Sequence, residues 1–230
     1  MAERPYTLLS CCMSIDGYLD DGSERRLLLS NEADLDRVDA VRASCDAILV
    51  GAQTVRQDNP RLLVKSSDRR RERIDRGLSS SPLKVTVTAG GALDPDADFF
   101  TTGDVGKLVY CASAAVTSMR QRLEGAAEVV DVGQPVDLAW LGGDLHDRGV
   151  RRLLVEGGGA TLTGFLQADL VDELHLAVAP VFVGESRAHR LVREGPFPWN
   201  SGRRAELAQV RQIGDVALLT YALSPRYGEC

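Results

Sequence analysis

Two acidic residues in this sequence follow apolar runs, where a charged side chain needs a specific partner. Glu156 comes directly after the run 153–155, and Asp58 lies just beyond the run 47–50. A carboxylate at the end of a buried strand is rarely left desolvated without a donor. Glu156 therefore either binds donors of a substrate or accepts backbone N–H groups from a neighbouring loop. Asp58 either serves a catalytic site or belongs to the turn-forming run Asp-Asn-Pro.

Three consecutive glycines follow Glu156 and precede a predicted helix that begins near Thr161. Bare amides at the positive end of a helix dipole hold phosphate groups, so Gly157, Gly158 and Gly159 predict a phosphate or dinucleotide site. A tight turn that needs a positive φ explains one glycine well but explains three in a row poorly. The run is not a GxGxxG fingerprint, and no such loop follows the first predicted strand.

Other residues suit a phosphorylated ligand or catalysis beside it. Arg42 falls inside the apolar stripe of a helix predicted over 31–44. There a guanidinium either clamps a phosphate with two parallel bonds or packs its stem and extends its charge to water. Thr54 and Asp58 lie four residues apart beyond the second strand, so they share one face if this segment is helical.

The elements that must position these residues alternate between short apolar strands and helices. We predict strands over 6–13, 47–50, 84–88, 108–111, 128–132, 152–155 and 173–178, and helices over 31–44, 113–123, 136–147 and 161–168. This alternation is typical of an α/β protein with a largely parallel sheet. The segments 205–213 and 216–223 predict an antiparallel hairpin across Gly214-Asp215. Because ligands of such sheets bind at the carboxyl ends of the strands, we expect the ends of the first, second, third and sixth strands to converge.

Length and composition favour one globular domain over residues 1–230, with 44% hydrophobic and 26% charged residues. The segment 66–82 contains five arginines, interleaved acids and several serines, with almost no apolar residue. We predict a mobile loop with solvated charges there, rather than an anion-binding arm.

Charge and cysteine usage narrow the class of partner. The net charge of −6 opposes sequence-independent binding to nucleic acid or to an anionic membrane, so a small metabolite is the expected partner. Five cysteines without CxxC spacing and an amino terminus without a signal-peptide pattern fit the cytoplasm. The three histidines are far apart, so no metal site is expected.

Three motifs, taken together and in order, resemble the riboflavin-biosynthesis pyrimidine reductases. They are Ser14-x-Asp16-Gly17, the run D-A-I-L-V-G-x-x-T-x-x-x-D-N-P at 46–60, and Val155-Glu156-Gly157-Gly158. The resemblance covers about residues 6–223. It implies the dihydrofolate-reductase-like fold, a three-layer α/β/α arrangement with a mostly parallel central sheet and an antiparallel carboxy-terminal hairpin. It also implies a homodimer.

The same resemblance implies an activity. NADPH would reduce the ribosylamino group of a pyrimidine 5′-phosphate to a ribitylamino group. The zinc deaminase motifs of the bifunctional members are missing from this sequence. The chain therefore resembles a stand-alone reductase.

The resemblance assigns roles to individual residues. The catalytic residues would be Asp58 and Glu156. NADPH contacts would come from Gly51, Thr54, Thr88, Gly157, Gly158, Gly159 and Thr161, with Thr88 and the turn Ala89-Gly90-Gly91 as candidates for contact with the 2′-phosphate. Substrate contacts would come from Ser10, Asn31, Arg42 and Lys65, the last two at the phosphate. Ser10 stands where many relatives have lysine, and Leu28 where they have tryptophan, so the exact substrate stays open.

Two alternatives remain beside this reading. A pterin or dihydrofolate-type reductase would use the same fold and cofactor, but Arg42 and Lys65 favour a phosphorylated substrate. A binding module that senses a nicotinamide or flavin-like ligand is disfavoured by the presence of both Asp58 and Glu156. For the reductase, the sequence leaves open whether Asp58 is an ionised stabiliser of a cationic imine nitrogen or a protonated donor to it.

Overall fold

The computed structural model describes residues 3–23 and 27–229 of the chain, which form a nine-stranded mixed sheet and seven α-helices. The strands are β1 (Tyr6–Ser14), β2 (Ala47–Gly51), β3 (Leu83–Thr88), β4 (Lys107–Cys111), β5 (Glu128–Asp131), β6 (Arg152–Gly157), β7 (Glu173–Ala179), β8 (Glu206–Ile213) and β9 (Val216–Ala222). The helices are α1 (Glu32–Ala43), α2 (Ala52–Asp58), α3 (Ser67–Asp75), α4 (Asp98–Thr101), α5 (Val116–Arg122), α6 (Leu138–Asp147) and α7 (Gly159–Gln167). The predicted α/β class, mostly parallel with antiparallel carboxy-terminal strands, is confirmed.

The contacts within the chain divide it into two compact units. The first unit holds Asp39–Leu154 and a short amino-terminal segment, and the second holds Tyr6–Val38 and the chain from Val155 onward. The helix α1 and the strand β6 each contribute residues to both units. That the chain is one domain stays a prediction.

In the first unit, the parallel strands lie in the order β5, β4, β3, β2. The strand β2 is buried along its whole length because its side chains are apolar and no residue interrupts the run. Gly51 pairs with Val87 and Thr88 pairs with Cys111, so the carboxyl ends of β2, β3 and β4 share one edge. The predicted convergence is confirmed for the second and third strands, which lie in this unit.

In the second unit, β1 pairs in parallel with β7, and β9 pairs antiparallel with β7 and β8. The predicted carboxy-terminal hairpin is confirmed, and Gly214 in its turn has a φ of +62°. The outer strand β8 exposes the side chains of Leu207 and Val210. Within the described residues, no helix is long and apolar enough to cross a membrane.

The charged segment that the sequence assigns to a loop contains the helix α3. Ser66 caps this helix by accepting a hydrogen bond from the backbone N–H of Arg69. Arg73 is only 3% exposed and donates to the carbonyl oxygens of Ser79, Ala43 and Cys45. The prediction of a loop over 66–82 is therefore wrong at α3. A segment with little apolar content is packed here through one buried arginine.

The buried side of α1 also differs from the prediction. Of the four residues expected to form the apolar stripe, Leu35, Val38 and Val41 are only half-buried, whereas Cys45, just beyond the end of α1, is buried. Within α1 itself, the two side chains that are buried are carboxylates, Asp34 at 0% and Asp39 at 4% exposure. Asp34 pairs with Arg37 at 2.7 Å, which compensates part of its desolvation.

A buried lysine in β3 fixes α4 and offers a test by pH. Lys84 is fully buried and donates to the carbonyl oxygens of Phe99 and Thr102 at 3.0 and 2.6 Å. Burial, with a further contribution from the charge of Lys107, lowers the pKa of Lys84 from 10.5 to about 8. Between these two pH values the unfolded chain binds more protons than the folded chain. We therefore expect the stability of the wild type to rise, relative to a Lys84→Met variant, as the pH increases from about 8 to 10.5.

Urea unfolding of both proteins across this range measures the difference. A constant difference between the two would show that Lys84 does not titrate in this interval.

Candidate active site

Three predicted site residues lie at the end of β2 and on α2. Gly51 has extended backbone angles and precedes the first turn of α2. The segment is helical, which is the condition under which Thr54 and Asp58 share one face; Thr54 is half-buried, and Asp58, the last residue of the helix, is exposed. Asn59 is the residue in the left-handed region, with a φ of +42°, and its side chain accepts from the N–H of Asp98 at 2.7 Å. The left-handed position of the turn thus belongs to Asn59 and not to Asp58.

The turn after β3 is held by Thr88. The Thr88 hydroxyl oxygen accepts a hydrogen bond from the N–H of Gly91 at 3.0 Å. Gly91 has a φ of +74°, and an added Cβ would lie 3.0 Å from the Met119 side chain, so the backbone requires glycine there. A Cβ on Gly90 would meet nothing within 4 Å. Gly90 therefore borders open space at the edge where β2 and β3 end.

A buried carboxylate organises the loop that carries Lys65. The Asp39 carboxylate accepts from the backbone N–H groups of Lys65 and Ser66 and from the Arg69 guanidinium. Burial raises the pKa of Asp39, but these hydrogen bonds outweigh burial and lower its pKa overall. Asp39 therefore stays ionised and keeps the loop in one conformation.

The structure brings Arg42 and Lys65 to this one loop. Arg42 is half-buried and donates to the carbonyl oxygen of Leu63 at 3.4 Å, and the side chain of Lys65 is exposed. Sequence reasoning missed Asp39, which holds the backbone of the loop at Lys65 and Ser66. Its position three residues before Arg42, on the same helical face, is the signal that could have identified it.

In the second unit, two of the three consecutive glycines have a structural reason. Gly158 precedes α7 with a φ of +85°, and a Cβ on Gly159 would lie 2.9 Å from the carbonyl oxygen of Arg190. The backbone itself therefore requires glycine at these two positions, without a ligand. Thr161 is 9% exposed in the first turn of α7, and Glu156 is half-buried near the end of β6.

The remaining predicted substrate residues, Ser10 and Asn31, belong to the second unit. Ser10 is buried in the middle of β1, opposite His175 of β7. Asn31 accepts from the N–H of Asp34, and its amide nitrogen donates to Ile213 and Asp215 at the hairpin turn. These bonds explain Asn31 without a ligand, because they fix the start of α1 to the turn between β8 and β9.

The motif Ser14-x-Asp16-Gly17 also has a structural role. Ser14 donates to Asp16 at 2.6 Å, and Asp16 accepts from the N–H groups of Val183 and Gly184. The hydrogen bond from Ser14, followed by the two backbone bonds, lowers the pKa of Asp16. Asp16 thus ties the end of β1 to the segment that follows β7.

The model of the RibD C-terminal domain matches residues 5–219, which is nearly the whole chain. The chain belongs to the RibD C-terminal domain family. The resemblance seen in its motifs is thereby confirmed.

Two of the curated relatives share one name. A 2,5-diamino-6-ribosylamino-4(3H)-pyrimidinone 5′-phosphate reductase of Archaeoglobus fulgidus is 37% identical over 182 residues, which cover 79% of this chain and 83% of that protein. The protein of the same name from Methanothermobacter thermautotrophicus is 34% identical over 225 residues, covering 96% of this chain and 99% of that protein.

Solved structures show the same fold. A pyrimidine reductase-like protein of Corynebacterium diphtheriae superposes with a TM-score of 0.80 at 21% identity, covering 95% of this chain and 91% of that chain. The family and the fold are therefore established for this RibD C-terminal domain protein. The roles of its individual residues stay predictions.

Proposed function

We propose that this protein reduces a ribosylaminopyrimidine 5′-phosphate with NADPH, converting its ribosylamino group to a ribitylamino group in riboflavin biosynthesis. The observation that carries the proposal is the 34% identity to the Methanothermobacter reductase over 96% of this chain and 99% of that protein. A cytoplasmic location and a homodimer belong to the same proposal. The apolar side chains exposed on the edge strand β8, Leu207 and Val210, support self-association.

The described residues fit a nicotinamide dinucleotide at two places. In the first unit, Gly51 and Gly90 give the carboxyl edge of the sheet a backbone without bulky side chains, and Gly90 borders open space. In the second unit, Ala160 is exposed in the first turn of α7, where the helix dipole favours an anion, whereas Gly159 lies against the carbonyl oxygen of Arg190. When bound, the cofactor supplies the hydride, and the protein supplies binding and orientation.

The chain's own residues then have separate tasks. Arg42 and Lys65 hold the substrate phosphate, supported by the loop that Asp39 fixes. Asp58 faces the developing positive charge on the imine nitrogen of the ring-opened ribosylamine. An ionised Asp58 stabilises this charge, whereas a protonated Asp58 gives the nitrogen its proton. Glu156 binds donor groups of the substrate.

The direct test is NADPH oxidation with three candidate substrates. These are the 2,5-diaminopyrimidinone ribosylamino phosphate, the corresponding 5-aminouracil compound and dihydrofolate. We expect oxidation with a ribosylaminopyrimidine and none with dihydrofolate, followed by mass spectrometry of the ribitylamino product. Turnover of dihydrofolate alone would replace the proposal by a folate-type reductase.

The amino terminus of α7 can be tested without disturbing the glycines. Gly158 is unsuitable because its φ of +85° would strain any side chain. Ala160 is exposed in the first turn, so Ala160→Glu places a negative charge where the helix dipole favours it. We expect an unchanged or slightly higher melting temperature, together with about 10-fold weaker dinucleotide binding by calorimetry.

The matched control is Ala160→Gln, which adds similar bulk without charge. Equal cofactor affinity in the two variants would show that the pyrophosphate lies elsewhere.

A further inference from the structure

The turn after β1 and the segment after β7 leave the same edge of the sheet in the second unit. Ser14, the last residue of β1, pairs with Ala179, the last residue of β7, and the two strands are parallel. The start of α7 reaches this edge too, because a Cβ on Gly159 would lie 3.8 Å from the Leu19 side chain. Ligands of such sheets bind outside the carboxyl ends of the strands.

Apolar side chains are exposed at this edge. Phe182, in the segment after β7, is 74% exposed, and Ile15 and Val181 are 50% and 39% exposed. The N–H of Ile15 donates to the carbonyl oxygen of Val181 at 2.9 Å, which joins the two segments. The three residues therefore lie together at the edge where a ligand is expected, and a group of exposed apolar residues there indicates binding more than a single one would.

The backbone on both sides of Phe182 is fixed. The carbonyl oxygen before it accepts the 2.9 Å bond from the turn after β1. After it, the Asp16 carboxylate accepts from the N–H groups of Val183 and Gly184 at 3.1 and 2.8 Å, and the hydroxyl of Ser14 donates to Asp16 at 2.6 Å. Phe182 is thus an exposed aromatic residue on a rigid backbone, so a contact that it makes with a ligand requires little ordering of the loop.

The substrate of the proposed function has a part that suits an aromatic side chain. Its pyrimidinone ring is planar and carries amino groups on its edge, and Arg42, Lys65 and Asp58 are assigned to its other parts. Glu156, in the same unit as Phe182, accepts hydrogen bonds from amino groups of this kind. An aromatic side chain is the partner on which a planar base stacks.

We propose that Phe182 stacks on the pyrimidinone ring of the substrate, and that Asp16 is a positioning residue that holds Phe182 at the edge of the sheet. The inference rests on the proposed function and deepens it, because it names the residue that recognises the substrate ring. It also gives the motif Ser14-x-Asp16-Gly17 a task in substrate binding, through its hydrogen bonds to the backbone that follows Phe182.

Calorimetric titration of the full chain with the ribosylaminopyrimidine phosphate, without NADPH, tests the contact without turnover. We expect Phe182→Ala to bind it about 10-fold more weakly than the wild type, as the loss of one stacking contact implies. Phe182→Tyr should retain the affinity, whereas Phe182→Leu, which is apolar but not aromatic, should not. These variants should melt like the wild type, because the side chain is 74% exposed. Tyr227→Ala removes another exposed aromatic side chain of this unit and should change nothing.

Asp16→Asn tests the positioning role, because the amide nitrogen cannot accept a hydrogen bond in place of a carboxylate oxygen. We expect about 5-fold weaker binding of the pyrimidine and a KM raised by a similar factor at an unchanged kcat. Added to Phe182→Ala, the substitution should weaken binding no further. Equal effects of Asp16→Asn with and without Phe182 would show that Asp16 does not act through this side chain.

Several outcomes overturn the proposal. Absence of pyrimidine binding to the wild type would do so, as would equal affinity of Phe182→Ala and the wild type or full affinity of Phe182→Leu. Weaker NADPH binding by Phe182→Ala, with unchanged pyrimidine binding, would assign Phe182 to the nicotinamide. Dissociation of an oligomer in Phe182→Ala, measured by light scattering at unchanged pyrimidine affinity, would assign it to an interface between copies of this chain. If the pyrimidine binds through Phe182 but is not reduced, the contact stands and the proposed reaction fails.

Discussion

The Asp58→Asn variant is expected to lose about 10²-fold or more in kcat, with little change in dinucleotide affinity. The asparagine amide has nearly the same shape as the carboxylate but cannot carry its charge or donate a carboxylic proton. Asp58 is exposed at the end of α2, and the left-handed residue of the turn is Asn59. The substitution should therefore leave the helix and its turn in place.

Steady-state kinetics with the pyrimidine phosphate, together with a melting curve, measure the effect. Asp68→Asn is a suitable control. Asp68 is 77% exposed on α3, and its substitution removes the same charge from the same unit. Nearly full activity in Asp58→Asn would assign Asp58 to the turn alone. For an active wild type, a kcat that falls as the medium is made more acidic indicates an ionised stabiliser, and a kcat that falls as it is made more alkaline indicates a proton donor.

Much of the fold could be predicted because its strands have a local signature. The run Ala47–Gly51 is apolar without interruption and forms a strand that is buried along its length. Gly214-Asp215 between two alternating segments similarly predicts the carboxy-terminal hairpin, since such a two-residue turn fixes the strand pairing locally.

Buried charges were not predictable, because their partners are distant in sequence. Arg73 donates to carbonyl groups about thirty residues earlier in the chain, at Ala43 and Cys45, and Lys84 donates to Phe99 and Thr102. Composition rules place such residues at the surface. Only the folded chain shows that backbone carbonyl groups compensate the cost of burying them.

The candidate site likewise has some features that are visible in the sequence and others that depend on contacts between distant residues. Glycines at strand ends were visible in the sequence, but the reason for Gly159, its approach to the carbonyl oxygen of Arg190, depends on a segment about thirty residues away. The position of the Lys65 loop beside α1, which carries Arg42, likewise depends on Asp39. A carboxylate is expected at the surface from its charge, but Asp39 is buried. Motif resemblance identified the positions, and tertiary contacts explain how some of them are held.

Arg73→Met is expected to lower the free energy of unfolding by about 3 kcal/mol, because three carbonyl groups lose a charged donor. The side chain is 3% exposed and bonds Ser79, Ala43 and Cys45 at 2.7–2.9 Å. Methionine fills much of the space but donates nothing. Arg71→Met is the matched control, since Arg71 is 68% exposed on α3 and pairs with Asp68, which is also exposed. It should change stability by less than about 0.5 kcal/mol.

Urea unfolding of the three proteins measures these differences. Equal midpoints for Arg73→Met and the wild type would show that α3 is not anchored by Arg73.

The helix also supports the loop of Lys65, because Arg70 donates to the carbonyl oxygens of Val64 and Lys65. Loosening α3 should therefore raise KM for the phosphorylated substrate more than it lowers kcat. A loop that only positions the substrate phosphate contributes equally to binding in the ground state and in the transition state.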